Sequence, residues 1–389
     1  MTTENRILVI DFTNYEDYPI GGYLSFAKNL MEAFGNQLAL VGITSSDPDP
    51  TGRWFKKNIN GTVYDFFALA RYRKKKTRNL IPDRLMNYIL LRHYKKSILG
   101  IGINNIYIQR HETLVAIANN HKNICYCFAE LENPLDASKY NYANTIANLF
   151  EKIFFRKILF ADTILANGDS DAINNMLARS KGILANRNIV KFPTRINTKL
   201  FRPVNKSEAR EKLELPAEKV IVLTAGRIAL VKGWKLMIDA FIRFNEKIDN
   251  SMFIFIGEGE DFDKVHSYIT EKGFSDKIIL KGKKSREEVA LFLNASDLFI
   301  MGSFSEGWPT ALMEAIACGI PAIVTEFSSV NEIIFEGLNG YINKSRNADT
   351  FALNMIKALE LQRPVKNDHI TVFSTENLKS DLLKYWKLS

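Results

Sequence analysis

A repeated alternation of short apolar segments with longer amphipathic ones constrains the fold of this chain more than any other feature. The short segments are rich in valine, isoleucine and leucine, which is typical of strands buried on both faces of a parallel sheet. They span residues 6–11, 37–43, 62–67, 105–109, 123–128, 162–167, 219–226, 251–257, 277–282, 297–303 and 321–325. The stretches between them repeat apolar residues at helical spacing, as at Trp234, Met237, Ile238 and Phe241. The alternation predicts an α/β protein with doubly wound parallel sheets.

The alternation occurs twice, with a break near residues 192–205, where two prolines stand and periodicity is weak. A chain of 389 residues also exceeds one ordinary domain. We therefore predict two Rossmann-like domains that face a central cleft and comprise residues 1–197 and 198–370. The C-terminal residues 371–389 are expected to form a helix that crosses back to the first domain. In such folds ligands bind beyond the carboxyl ends of the strands.

The net charge of +9 is concentrated in one segment. Residues 71–96 hold ten lysines and arginines and a single acid, Asp83, so the rest of the chain is close to neutral. Because the charge is local, a general affinity for nucleic acid is a poor explanation, and we expect no nucleic-acid partner. The segment interleaves its cations with aliphatic residues such as Leu85 and Ile89, which suits peripheral contact with an anionic membrane. A solvated charged loop beside a core helix explains the pattern equally well, and both interpretations stay open.

The sequence predicts a cytoplasmic location. No stretch approaches the roughly 20 apolar residues that a membrane-spanning helix needs, and no basic region precedes the first apolar run. The three cysteines, Cys125, Cys127 and Cys318, form neither a CxxC nor a zinc-binding pattern, which fits reduced thiols. If the basic segment binds lipid, the protein is expected at the inner face of the cytoplasmic membrane.

Two positions beyond predicted strand ends suit a phosphate group. Gly21 and Gly22 follow the first strand and open a helix, where paired glycines let the backbone approach a phosphate; an ordinary turn is the alternative. In the second half Gly226 ends a strand, Arg227 follows it, and Lys232 precedes the next helix. A guanidinium and an ammonium beside a helix N-terminus suit a diphosphate, although an isolated pair of cations is more often simply solvated.

The stretch SFSEGWPTALMEAIACGIPAI (303–323) carries two glutamates, Glu306 and Glu314, in apolar surroundings. Pro309 is placed to begin a helix and Gly319 to follow its end. This helix is apolar around most of its circumference and is therefore expected to be buried, so a carboxylate on it needs donors such as ligand hydroxyls. Alternatively, Glu306 stabilises the helix dipole and Glu314 pairs with a structural arginine.

This stretch resembles the E-x7-E signature of family 4 glycosyltransferases of the GT-B fold, in the variant common in bacterial polysaccharide enzymes. The resemblance extends to AGRIALVKGW (225–234), FIGEGED (255–261) and RINTKLFRP (195–203). It implies a retaining transferase that moves a hexose or N-acetylhexosamine from a nucleotide-diphosphate sugar, with UDP favoured over GDP. The implied acceptor is a saccharide or lipid-linked saccharide in surface polysaccharide or glycolipid synthesis.

The resemblance also assigns roles to individual residues. Glu314 would bind the ribose hydroxyls, and Glu306 would hold the hydroxyls of the donor sugar. Arg227 and Lys232 would neutralise the diphosphate as it leaves, so that these two cations and Glu306 form the implied catalytic set. Further contacts with the donor, most of them through the backbone, are implied at Gly21, Gly22, Gly226, Lys283, Gly307, Trp308, Thr310 and Ala311.

Two departures from the family pattern lie in or near the first half. Many relatives carry a histidine after the strand equivalent to 123–128, where this chain has Glu130 instead. The nearest histidine is His111, after the preceding strand, and we expect both residues to line the substrate cleft. In addition, Arg195 stands where the interdomain segment of the family usually has glycine.

A metal-dependent mechanism would require acidic ligands, such as an Asp-x-Asp triplet. Three such triplets occur, at 47–49, 169–171 and 261–263, but triplets this short arise often by chance. We expect no metal and no cofactor beyond the donor, because Arg227 and Lys232 can supply the electrostatic stabilisation. Two other classes stay open: a GT-B-like sugar-nucleotide epimerase or glycosidic phosphorylase, and a non-catalytic sugar-binding protein.

Overall fold

The computed structural model describes residues 6–18, 22–72, 82–118, 122–128, 141–168, 170–327 and 329–388. The chain forms two compact units. Unit 1 holds Met1–Arg195 together with Thr375–Ser389, and unit 2 holds Ile196–Ser374. The chain therefore leaves unit 1 after Arg195 and returns to it at Thr375, whereas the sequence led us to expect boundaries after residues 197 and 370.

The described part of unit 1 contains an eight-stranded sheet. Its strands are β1 Ile7–Ile10, β2 Leu38–Thr44, β3 Trp54–Ile59, β4 Thr62–Arg71, β5 Asn105–Ile108, β6 Asn123–Phe128, β7 Thr163–Ala166 and β8 Ile189–Lys191. They are arranged in the order β3-β4-β2-β1-β5-β6-β7-β8. All neighbours run parallel except the hairpin of β3 and β4.

Helices cover both faces of this sheet because its strands are apolar on both sides. They are α1 Gly22–Phe34, α2 Asp83–Leu99, α3 His111–Ile117, α4 Asn141–Lys157 and α5 Ser170–Arg179, joined by α13 Thr375–Trp386 from the C-terminal end. In β1, Leu8 and Ile10 face the core shared with α2 to α5. The alternate residues Ile7 and Val9 face the core shared with α1 and α13.

The C-terminal helix α13 is held to unit 1 by apolar and polar contacts. Its Leu378, Leu382 and Trp386 are buried in the same core as α1. The Trp386 indole donates a hydrogen bond to the Asn123 side chain at 2.9 Å. The Arg195 guanidinium forms an ion pair at 2.8 Å with Asp381 of α13. Arg195, the departure noted in the sequence, thus ties the end of unit 1 to this helix.

Unit 2 contains a six-stranded sheet in its described residues, and every neighbouring pair is parallel. The strands are β9 Val220–Ala225, β10 Ser251–Ile256, β11 Ile278–Leu280, β12 Leu298–Met301, β13 Ala322–Thr325 and β14 Gly340–Asn343. The helices are α6 Lys206–Lys212, α7 Trp234–Asn245, α8 Phe262–Glu271, α9 Arg286–Ala295, α10 Thr310–Ala317, α11 Ala348–Ala358 and α12 Asp368–Thr371. The order β11-β10-β9-β12-β13-β14 is that of a Rossmann fold, and its direction reverses between β9 and β12.

The prediction of two parallel-sheet α/β domains is confirmed, and each of the predicted strands appears. Three strands were not predicted: β3, β8 and β14. β3 exposes Lys56 and Asn58 to solvent and lies at the sheet edge, so it lacks the apolar run that marks the central strands. β8 has only three residues, none of them fully buried, and β14 begins with Gly340 and ends with Asn343, so both carry weak strand patterns.

Candidate active site

The reversal of strand order in unit 2 places two loops side by side. One follows β9 and carries Gly226, Arg227 and Lys232, and the other follows β12 and carries Glu306. Since both strands are parallel neighbours, their carboxyl ends open onto the same edge of the sheet. This edge is where a doubly wound sheet binds its ligand.

Lys232, Glu306 and Ser303 form one hydrogen-bonded group at this edge. The Lys232 Nζ lies 2.6 Å from Glu306 Oε1, and the Ser303 hydroxyl donates to the same oxygen at 2.6 Å. The Glu306 side chain is 11% exposed and that of Lys232 is 32% exposed. A ligand at this point therefore meets a cation and a carboxylate together, which suits a phosphate joined to a hydroxyl-bearing group.

Gly233 allows the two loops to come this close. Its φ is +67°, in the left-handed region, and a Cβ built there would lie 1.8 Å from the carbonyl oxygen of Gly302. Any other residue would clash with that carbonyl and strain its own backbone, so the loops would separate. The glycine next to Lys232 thus sets the distance between the lysine and Glu306.

Arg227 lies exposed just beyond β9. In the part of the chain that the structure describes, its guanidinium has no hydrogen bond or ion pair. Gly226, also exposed, precedes it. Lys283 lies exposed in the loop between β11 and α9. The side chains of Arg227 and Lys283 are therefore accessible to a ligand.

Glu314 lies on α10, the helix predicted to be buried. Leu312, Met313, Ala315 and Ile316 beside it are fully buried. The Glu314 side chain is 13% exposed, and the Arg286 guanidinium lies 3.9 Å from its carboxylate. Burial raises the pKa of Glu314 to about 7, and Arg286 lowers it only in part.

The structural arginine weighed as an alternative for Glu314 therefore exists, but it does not satisfy the carboxylate. At 3.9 Å the contact with Arg286 is too long for a hydrogen bond. Within the described residues no other group donates a hydrogen bond to this side chain. A largely buried carboxylate without donors is a group that ligand hydroxyls could complete.

The loop from Gly307 into α10 presents backbone N–H groups. Pro309 precedes the helix and offers no side-chain cap, so the amides of Thr310 and Ala311 lack partners within the helix. Trp308 is buried against Phe373, with ring centroids 5.5 Å apart, which anchors the loop. The amides predicted to assist Glu306 thus lie at a helix N-terminus, where an anion or an electron-rich oxygen is favoured.

Two groups at this edge were not predicted, Ser303 as a partner of Glu306 and Arg346. The Arg346 guanidinium donates to the carbonyl oxygens of Gly302 at 2.7 Å and Ser303 at 3.1 Å. It also stacks over the Phe304 ring, 3.5 Å from its centroid. Ser303 lies within the motif that was singled out, but Arg346 is 40 residues beyond Glu306 in the loop after β14, and no sequence pattern connects them.

In unit 1 the structure places one of the predicted residues away from a substrate surface. His111 begins α3 and is 4% exposed, and its ring lies 4.3 Å from that of Phe154. Burial, with Arg84 and Arg179 nearby, lowers the pKa of His111 to about 3, so the imidazole is neutral. This corrects the expectation that His111 lines the cleft: its ring belongs to the aromatic core.

Other predicted positions in unit 1 are only partly covered. Gly22 begins α1, as expected. Gly21 and Glu130 lie outside the described residues, and so does Asp169 of the second acidic triplet.

The other two acidic triplets are engaged in structural contacts. Asp49 accepts hydrogen bonds from Lys57 at 3.0 Å and Thr44 at 2.5 Å. Asp261 pairs with Lys264 at 2.7 Å and accepts from the Trp234 indole at 3.2 Å. Across the described ranges no three histidine, cysteine or acidic side chains are grouped as metal ligands.

Comparison with known sequences gives a match to unit 2. Residues 205–371 match the profile of the family described as glycosyl transferases group 1. The chain is 27% identical over 174 residues to the UDP-Gal:alpha-D-GlcNAc-diphosphoundecaprenol alpha-1,3-galactosyltransferase of Escherichia coli, covering 43% of this chain and 44% of that enzyme. It is 29% identical over 143 residues to the lipopolysaccharide core biosynthesis glycosyltransferase LpsE of Rhizobium meliloti, covering 37% and 40%. The chain thus matches less than half the length of these relatives.

Comparison with solved structures extends over nearly the whole chain. Sucrose-phosphate synthase from Thermosynechococcus elongatus superposes with a TM-score of 0.75 at 16% identity, covering 98% of both chains. Anabaena HepE in complex with UDP and glucose gives a TM-score of 0.68 at 13% identity, covering 97% of this chain and 99% of that one. At these identities the comparison establishes a shared fold.

Proposed function

We propose that the protein is a retaining, metal-independent glycosyltransferase, because residues 205–371 match the profile of the group 1 glycosyltransferases and the chain has the GT-B fold. It moves a hexose or N-acetylhexosamine from a nucleotide-diphosphate sugar, with UDP favoured over GDP. The acceptor is a saccharide or lipid-linked saccharide of surface polysaccharide or glycolipid synthesis. The observation that carries the proposal is the contact of Lys232 with Glu306 at the strand-order reversal of the unit that matches the group 1 profile.

The proposed mechanism assigns the two cations to the leaving group. Among the described residues the Arg227 side chain is exposed and unpaired, and the Lys232 side chain has Glu306 as its one partner, so both can turn to a diphosphate. Their positive charge stabilises the negative charge that develops as the bond to the sugar breaks. They thereby take the place of a metal ion, which is the basis for proposing metal independence.

The two glutamates bind different parts of the donor. Glu306, already bonded to Lys232 and Ser303, accepts hydrogen bonds from hydroxyls of the transferred sugar. Glu314, buried and without donors among the described residues, accepts them from the ribose. The backbone near Lys283 contacts the base, and that near Gly22 approaches the diphosphate. Names of related proteins support the donor class, since the Escherichia coli relative uses UDP-Gal and HepE was solved with UDP.

Residues 71–96 are proposed to bring the enzyme to an anionic membrane, at its cytoplasmic face. Residues 73–81 of this segment lie outside the described structure. The remainder forms most of α2, where Leu85 and Ile89 are 46% and 48% exposed. No helix within the described ranges is long and apolar enough to cross a membrane. A lipid-linked acceptor would then be found by diffusion within the bilayer plane.

Kinetics of purified variants test the role of the cations. Arg227→Ala and Lys232→Ala should each lower kcat by about 10²-fold or more, because each removes charge stabilisation of the transition state. Arg243→Ala is a matched control, since this exposed arginine of α7 pairs with Glu246 outside the site. Unchanged kcat in a folded Arg227 or Lys232 variant removes that residue from the mechanism.

Two further measurements test the reaction class. Activity should survive excess EDTA, whereas loss that manganese or magnesium restores would point to the triplet 169–171. Free nucleotide diphosphate should accumulate only when acceptor is present, apart from slow hydrolysis. Interconversion of the donor without release of nucleotide would instead identify an epimerase.

A further inference from the structure

Two helices of unit 1 expose aliphatic side chains that the core does not use. On α2 these are Leu85 and Ile89, and on α4 they are Leu149, 61% exposed, and Ile153, 39% exposed. The members of each pair are four residues apart and therefore lie on one side of their helix. Both helices pack against α3 and share one core, so they cover the same face of the sheet. Exposed aliphatic side chains that are grouped on one face, with polar residues around them, can mark a contact surface.

Cations accompany these aliphatic residues on both helices. Arg92 and Lys96 follow Ile89 by three and seven positions, and both are exposed on α2. On α4, Lys152 follows Leu149 by three positions and Arg156 follows Ile153 by three, and both are exposed. Each helix therefore has a stripe in which aliphatic and basic side chains alternate at helical spacing.

The C-terminal ends of α2 and α4 carry further cations beside these stripes, Lys95 on α2 and Lys157 on α4. Burial lowers the pKa of Lys95, near the end of α2, and the positive charges of Arg92 and Lys157 lower it further. Lys157 is the last residue of α4, so the cations of the two helices are close enough to repel each other. The acid nearest in sequence, Glu151, pairs with Arg179 of α5 at 3.5 Å. This face therefore carries net positive charge, which is complementary to an anionic partner.

We infer that α2 and α4 together form a docking surface for an anionic lipid bilayer. The cations would contact lipid phosphates while the four aliphatic side chains enter the interface, a combination that a bilayer accommodates over both helices at once. The inference deepens the membrane contact proposed for residues 71–96. It stands on α4, which lies outside that segment and whose sequence gave no sign of this role.

Co-sedimentation of the full chain with vesicles tests the surface. The wild type should bind vesicles of phosphatidylcholine mixed with phosphatidylglycerol at low salt and should dissociate as salt rises. It should not bind vesicles of phosphatidylcholine alone. Absence of binding to the anionic vesicles at low salt overturns the inference, and the proposed contact of residues 71–96 with it.

Variants of α4 separate this inference from the earlier proposal. Replacing Lys152 and Arg156 by serine should weaken binding to anionic vesicles about 30-fold. The double variant Leu149→Ser and Ile153→Ser should also bind more weakly. Its binding should keep most of its dependence on salt, because the cations are unchanged. The matched control replaces two leucines of unit 2 by serine. These are Leu338 and Leu353, which are 58% and 57% exposed. The control should bind like wild type, and circular dichroism should show that every variant is folded.

The pattern of losses decides what is overturned. If both α4 variants bind as tightly as wild type, α4 takes no part in docking. A further variant replaces Arg73, Lys74, Lys75 and Lys76 by serine. If this variant alone loses binding, only the basic segment 71–96 contacts the membrane. A loss equal to that of the unit 2 control overturns the α4 surface as a specific feature. Donor turnover in detergent, without vesicles, is recorded in parallel, so failure of membrane docking is distinguished from failure of the proposed reaction.

Discussion

Glu314 shows how burial can set the properties of a single side chain. Its pKa is raised from the ordinary value of 4.5 to about 7, first by burial and against the weaker pull of Arg286. The folded protein therefore binds a proton more tightly here than the unfolded chain does. The stability that this protonated carboxyl contributes is present below about pH 4.5 and is lost as the pH rises towards 7.

This sign leads to a prediction for the protein without ligand. Glu314→Gln should raise the thermal unfolding midpoint at pH 8, where it removes a buried charge, and should change it little at pH 5, where the wild-type carboxyl is largely protonated. Scanning calorimetry at both pH values measures the difference. Glu306→Gln serves as a comparison. Because Glu306 pairs with Lys232, removal of its charge should not raise the unfolding midpoint. An equal effect of Glu314→Gln at both pH values would contradict the account of Glu314.

The two glutamates should also differ in ligand binding. Glu314→Gln should weaken binding of UDP and of the complete donor to the same extent, because the ribose is common to both. Glu306→Gln should leave UDP binding nearly intact and should impair binding or transfer of the sugar. Titration calorimetry with both ligands compares the two variants. Equal losses of UDP affinity in both would sink the separate assignments.

At the scale of secondary-structure elements, the sequence predicted those strands and helices whose own residues carry a clear apolar pattern. The strands at the centres of the sheets are continuous apolar runs. The helix that carries Glu314 is apolar around most of its circumference, which predicts that it is buried. Edge strands such as β3 lack that signal. Arg346 could not be predicted, since its role arises from the parallel pairing that brings the ends of distant strands together. His111 was misplaced because its position after a strand says nothing about which way its ring turns.

Arg346 leads to a prediction about the loop that follows β12. By holding the carbonyls of Gly302 and Ser303, it fixes the segment whose serine in turn bonds Glu306. Arg346→Ala should therefore reduce transfer about 10-fold or more through misplacement of Glu306, while UDP affinity, which depends on Glu314, changes little. Arg346→Lys should restore activity only in part, because lysine cannot donate to both carbonyls in a fixed fork.

Steady-state kinetics and calorimetry together check the Arg346 prediction. Arg243→Ala again provides the control, as an arginine of unit 2 whose contacts lie on the surface. A parallel fall in UDP affinity and in turnover would show that Arg346 supports unit 2 in general and does not act through Glu306.

At the scale of the whole molecule, the groups proposed to bind the donor are concentrated in unit 2. Two loops that follow strands of one sheet carry Arg227, Lys232 and Glu306, and the helix after the second loop carries Glu314. In its described residues this sheet has a single reversal of strand order. Unit 1 contributes the start of α1 at Gly22 to the proposal, and the surface of α2 and α4 is proposed to contact lipid instead of the donor. This separation of roles between the two units predicts which backbone amides a bound nucleotide should protect from hydrogen exchange.

Hydrogen exchange with and without UDP tests that division directly. Bound UDP stabilises the states in which it is held, by about 2.7 kcal/mol at a hundredfold its Kd, so local openings that release it become rarer. Amides in 226–233 and 303–318 should exchange more slowly, because the first range holds both cations and the second holds both glutamates. Slower exchange at the start of α1 would place Gly22 near the bound diphosphate, whereas unchanged exchange there would remove it from the donor site. Amides of α4 should not respond, because its proposed partner is a lipid surface. Protection of α4 by UDP with none in 303–318 would be incompatible with a donor site in unit 2.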